Sequence, residues 1–219
     1  RAPRLRLSAE GIRDNALAAS GLLNDTIGGP SVRPYQPAGL WREKTMRASA
    51  STGTYVRDEG DKLYRRGMYT FWKQAVPPPQ MELFDAPSRE NCTIKRRTTI
   101  TPLQALMLMN DETYLELSRE LATRLFKEVE GAWEDQLSKR IETGLRLTTG
   151  RKPSTEELGT WIQFSEENLK RFSESPENAK SFLSYGEKPR DESLPELELA
   201  ALTYTMSAVF NLDETITRD

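Results

Sequence analysis

The side chains best suited by type to chemistry lie between residues 64 and 97. Asp85, Arg89 and Glu90 crowd the turn "FDAP", Lys95, Arg96 and Arg97 follow closely, and Arg65 and Arg66 sit beside Tyr64 and near Trp72. Two carboxylates with arginines nearby are the groups that perform acid–base work on a glycan, one protonating a leaving oxygen while the other acts across the sugar ring. Arginines interleaved with aromatics equally suit a sulfated or carboxylated polymer, held by forked hydrogen bonds and stacking. Each group also has a structural role open to it. Asp85 can cap a turn and bond an arginine, the run 95–97 can be a solvated or internally paired face, and the aromatics can be core. Arg65, Arg66, Trp72, Asp85, Arg89, Arg96 and Arg97 therefore stand as ligand-binding candidates, and none as catalytic or metal-ligating.

The rest of the composition narrows the chemistry. The 219 residues contain no histidine and one cysteine, Cys92. Histidine-containing triads, histidine-based zinc sites, c-type haem attachment and an internal disulfide are thereby excluded within this segment. A lone cysteine of this kind is expected as a small buried residue. Hydrophobic residues make up 37% and charged residues 29%, the balance of a globular chain. The longest apolar run is "ALMLM", far short of the ~18 residues that suggest a membrane span. With no Met at its start, the sequence reads as a piece of a longer polypeptide. The net charge of −2 divides into 17 basic against 10 acidic residues over 1–102 and 14 against 23 over 103–219. That asymmetry fits two parts packing together, or a basic half facing an acidic partner. No nucleic-acid recognition motif is present.

The elements that must position these groups carry helical punctuation. Ser8 is placed to cap a helix with Ile12, Ala16, Ala19 and Leu23 on one face. "IGGPSVRPYQPAGLW" then forms a loop packed by Tyr35 and Trp41, and "RASASTGT" (47–54) reads as flexible. From Asp61, the spacing of Tyr64, Met68, Phe71, Trp72 and Ala75 predicts a helix, while alternating strand spacing also fits part of the stretch, since Gly67 and Tyr69 weaken the helical pattern. Pro77, Pro78 and Pro79 then make a stiff corner, or the wall of a preformed groove, because proline fixes φ, lacks an amide donor and constrains its predecessor. After 101 the signals repeat: capping boxes at "TPLQ", "STEE" and "SLPE", a cap at Asp111, a helix start at Ser175-Pro176, and apolar stripes through Leu117, Leu121 and Leu125 and through Leu137, Ile141 and Leu145.

Over "LYRRGMYTFWKQAVPPPQMELFDAPSRENCTIKRRTTITPLQALMLMND", the chain resembles the family of domain of unknown function 1553, the planctomycete secreted domain. The similarity extends to "SAEGIRDNALAASG" and "GGPSVRPYQPAGLW" on one side, and to "RLTTGRKPSTEEL" and "SAVFNLDETITR" on the other. The resemblance implies the distal part of a large exported protein, secreted or periplasmic. Haem would be carried by a cytochrome-like segment elsewhere in the parent chain, and no cofactor in this segment.

The expected fold is mainly α, one domain in which a helical bundle over about 101–219 packs against an irregular, proline-rich N-terminal half, 1–100, with few helices. The expected function is a non-catalytic structural or interaction module whose partners are other domains of the same polypeptide. The alternative is a domain that binds or hydrolyses polysaccharide, an anionic one included, through paired carboxylates and the arginine clusters. Docking to the redox segment would require an exposed apolar patch.

Overall fold

A computed structural model describes residues 5–44, 54–73 and 75–218, and they are mainly helical. The N-terminal part holds a short strand β1 (Leu5–Arg6), then α1 (Ala9–Ser20), α2 (Leu40–Lys44) and α3 (Pro79–Leu83). The remainder runs α4 (Pro102–Asn110), α5 (Glu112–Glu128), α6 (Trp133–Thr149), α7 (Thr155–Glu174), α8 (Pro176–Phe182), α9 (Glu196–Phe210) and α10 (Asp213–Ile216), closing on β2 (Thr217–Arg218). The strands pair antiparallel, Leu5 opposite Arg218. Among the described residues no helix is long and apolar enough to cross a membrane.

Side-chain capping fixes the starts of α1, α5 and α7. Ser8 Oγ accepts from the Gly11 amide at 3.1 Å, and Ser154 Oγ accepts from the Glu157 amide at 3.1 Å. Each such bond satisfies an amide that has no partner within its helix, worth about 1 kcal/mol. Pro176 opens α8 where a missing amide costs nothing.

The centre of the core is α9 against α5, with α1, α6 and α7 packed around them. Leu199, Leu202, Met206 and Val209 of α9 and Leu117, Leu121 and Leu125 of α5 are fully buried. Each buried side chain of this size contributes about 1.5–3 kcal/mol relative to exposure. The α1 stripe of Ile12, Ala16 and Ala19 is buried too, and packs on α5 and α6.

Three local expectations meet a different outcome. The helix expected from Asp61 is instead two short 3-10 turns, Gly60–Tyr64 and Gly67–Tyr69, with Arg65 and Arg66 extended between them. Tertiary contacts override the periodicity: Arg65 is drawn to the 26–30 loop, and the Gly67 amide donates to Asp14 at 2.5 Å. A Cβ at Gly67 would lie 3.0 Å from the α1 backbone at Glu10, so the glycine that weakened the helix pattern permits a close chain crossing. At "SLPE", Ser193 bonds Asp191 at 2.6 Å and α9 begins only after Pro195. Cys92, expected inside, is exposed. Of the run 47–54, only Thr54 lies within the described residues.

The irregular part meets the bundle at one buried carboxylate. Glu116 of α5 is 0% exposed and accepts from the Tyr35 hydroxyl at 3.0 Å, the Tyr64 hydroxyl at 3.0 Å and the Lys188 amide at 2.8 Å. Arg119 lies 3.8 Å away and donates to the carbonyls of Leu183 and Tyr185 at 2.9 and 2.6 Å. Burial, with the adjacent Glu116 charge, raises both tyrosine hydroxyls above their ordinary pKa and keeps them donors. One side chain thus ties the 35 loop, the 60–64 turn, α5 and the 183–188 segment together.

Candidate functional site

The residues singled out from the sequence are scattered, and most are occupied. Arg65 is buried; it donates to the carbonyls of Pro30 at 2.9 Å, Thr26 at 3.0 Å and Gly28, and it stacks 3.8 Å from the Tyr69 ring centre. It staples a loop. Arg66 pairs with Asp14 at 3.7 Å and Arg96 with Glu10 at 2.7 Å, both on α1. Arg89, in the left-handed region at φ 64°, lies over the Trp72 ring at 4.5 Å, and the Trp72 indole donates to the Ser88 carbonyl at 3.3 Å. Trp72 is half-buried. Arg97 is exposed, and neither it nor Lys95 has an acidic partner among the described residues.

Asp85, at φ 58°, is the fastening point of the loop that joins α3 to α4. Its carboxylate accepts from the Thr99 amide at 2.8 Å, the Thr99 hydroxyl at 2.9 Å and Arg6 at 2.7 Å. Arg6 also bonds the Phe84 carbonyl at 3.0 Å. Burial opposes the charge, but the Thr99 amide and hydroxyl and Arg6 outweigh it and hold the carboxyl below its ordinary pKa. A depressed folded-state pKa means that the stabilisation is complete above the unfolded value of about 3.9 and lost as pH falls through the lower folded value. Asp85→Asn is therefore expected to cost most near neutral pH and progressively less at about pH 3 and below, read from urea midpoints across a pH series. A cost independent of pH would contradict this account. Asp111 is likewise engaged: it accepts from the Thr113 amide at 2.9 Å as the cap of α5, and from Gln80 at 2.6 Å.

The surface of α4 leaves several large apolar side chains in water. Leu103 and Leu106 of α4 are 61% and 59% exposed, Met109 is 38% exposed, and Ile100 precedes them at 73%. The inward face of α4 carries Gln104 and Leu108 instead. Gln104 is held there because its amide nitrogen donates to the Leu83 carbonyl at 2.7 Å and to the Thr99 hydroxyl at 3.2 Å, while its oxygen accepts from the Thr101 amide at 3.1 Å. Leu108 lies four residues further along the same face, so Leu103 and Leu106 are turned outward.

Beside that ridge runs a groove of about 330 Å³, walled by Tyr35, Pro79, Gln80 and Leu83 opposite Leu103 and Leu106. Pro79, the last of the three prolines, both starts α3 and stands in the groove wall. Met81 of α3 and Phe84, which follows its last residue, are buried in the core and hold that wall. The sequence signal was "ALMLM": a surface helix apolar on every face has an unburied stripe.

A family model described as "PSD1: Protein of unknown function (DUF1553)" matches residues 1–165. No curated protein and no solved structure matches the chain.

Proposed function

The chain belongs to the PSD1 family of unknown function, DUF1553, and from that premise we propose that it is a non-catalytic interaction module of an exported, multidomain, cytochrome-linked polypeptide. Its working surface is the α4 ridge and groove, and its partner is another domain of the same polypeptide, outside the cytoplasm. The observation that carries this reading is the exposure of Leu103 and Leu106 side by side at the mouth of a walled apolar groove. Contiguous apolar surface of that kind is costly in water unless something covers it. The export and the haem-bearing neighbour rest on resemblance to the family over the "YTFWK" to "TPLQAL" region. For glycan hydrolysis, two carboxylates would have to converge on open space, whereas Asp85 and Asp111 are each bonded to structural donors.

The test is direct binding between this chain and the remainder of its parent polypeptide, followed by titration calorimetry. Leu103→Asp with Leu106→Asp is expected to weaken association by more than about tenfold, since apolar anchors dominate such interfaces. Fold stability is expected to change by less than about 0.5 kcal/mol, because both side chains already face solvent. Full-strength binding by the double variant, or no binding by the parent protein, would count against this surface.

A further inference from the structure

Resting on the docking reading, we infer that the groove takes a short amphipathic helix whose apolar stripe seats against Leu83, Leu103 and Leu106 and whose acidic side chains meet Lys95 and Arg97. The apolar part of the argument is geometric. From Leu103 to Asn110 the groove follows α4 for about 10 Å at 1.5 Å per residue, two helical turns. That length matches the i, i+3/i+4, i+7 anchors of a helix laid in a groove. Its concavity, between α3 and α4, suits an inserted ridge better than a flat bilayer surface.

The charge part rests on the loop beside it. Residues 88–100 are all exposed and carry Arg89, Lys95, Arg96 and Arg97 against the single acid Glu90. Arg89 is committed to Trp72 and Arg96 to Glu10, which leaves Lys95 and Arg97 as the cations without an acidic partner among the described residues. The loop is pinned at the groove's end: Thr99 bonds Asp85, and Gln104 bridges Thr99 to the Leu83 carbonyl. Arg97, two residues before Thr99, has its Cα within about 7 Å of that point by the reach of the chain. This basic edge belongs to a molecule whose net charge is −2 and whose residues 103–219 stand at 14 basic against 23 acidic. An acidic helix is thus repelled by most of the bundle, and by Asp111 in the groove lining, and attracted at the Lys95 and Arg97 end, which selects partner and orientation together.

The experiment uses labelled synthetic helices of about 14 residues, long enough for three leucine anchors, with glutamates at one end, and a counterpart with lysines in their place. Fluorescence anisotropy against this chain is expected to show the acidic peptide bound more tightly. Its affinity should fall about tenfold or more between roughly 50 and 300 mM salt, or in Lys95→Glu with Arg97→Glu, because exposed pairs are screened. Leu103→Asp with Leu106→Asp should abolish binding of the same peptide. Equal binding of both peptides, still lost in the leucine variant, overturns the inference while leaving the docking surface standing. Binding of the parent polypeptide without binding of either peptide also overturns it. So does sedimentation with phosphatidylglycerol vesicles that requires Lys95 and Arg97, which would make the occupant a membrane. Self-association lost in Leu106→Asp would make it a second copy.

Discussion

Replacing Glu116 with alanine is expected to lower the unfolding free energy by about 3–5 kcal/mol, the range found when one partner of a buried charged network is removed. Glu116 is fully buried, and three donors converge on it: two tyrosine hydroxyls and the Lys188 amide. Truncation strands all three and leaves Arg119 with Glu120, at 3.3 Å, as its remaining carboxylate partner. Each stranded buried group costs about 1–3 kcal/mol, and partial relaxation keeps the total below their sum. Glu116→Gln retains one acceptor oxygen and the side-chain volume, and is expected to fall between the two. Urea denaturation at neutral pH provides the measurement; a loss under about 1 kcal/mol for Glu116→Ala would show that the junction is not fastened here.

Gly186→Ala is the second large effect, and it is linked to the first. Gly186 has φ 93°, where any side chain is strained, and a Cβ there would lie 2.6 Å from Glu116 Cδ and 2.7 Å from its Cβ and Cγ. Those atoms cannot retreat without breaking the bonds to Tyr35, Tyr64 and Lys188. Overpacking of a fixed core group together with backbone strain gives an expected loss of about 2–4 kcal/mol. In a Glu116→Ala background the Cγ and Cδ contacts vanish, so the added cost of Gly186→Ala should shrink, leaving the backbone strain and the Cβ contact. Contacting residues are expected to be non-additive in this way. Strict additivity in the double variant would mean that the two positions do not touch.

The readable parts of the fold are those governed by local chemistry. Ser8, Asp111 and Ser154 mark helix starts because a side chain bonding an amide two or three residues on leaves its signature in adjacent positions, and at Thr101 the same signature comes from Gln104, whose side-chain oxygen accepts from the Thr101 amide. The stripes on α1 and α5 were legible because burial on one face imposes a helical period. Between 60 and 75 the structure departs from the sequence pattern for the complementary reason. The apolar spacing there fits a helix, but Arg65 and Gly67 answer to loop carbonyls and to α1, tens of residues away. The site was less legible still. Asp85 and Arg65 look like binding groups in sequence and act as staples, because the partners that occupy them, Thr99 and Arg6 or Thr26 and Pro30, are chosen by folding.

The sequence by itself determined that this is a mainly helical chain with a stiff proline corner, and its histidine-free composition, with Cys92 the only cysteine, closed off histidine triads and internal disulfides. Only the tertiary structure decided which face of α4 turns outward. Gln104 is pulled in by Leu83 and Thr99 while Leu103 and Leu106 are left in water, and that choice depends on bonds across the chain that no local pattern encodes.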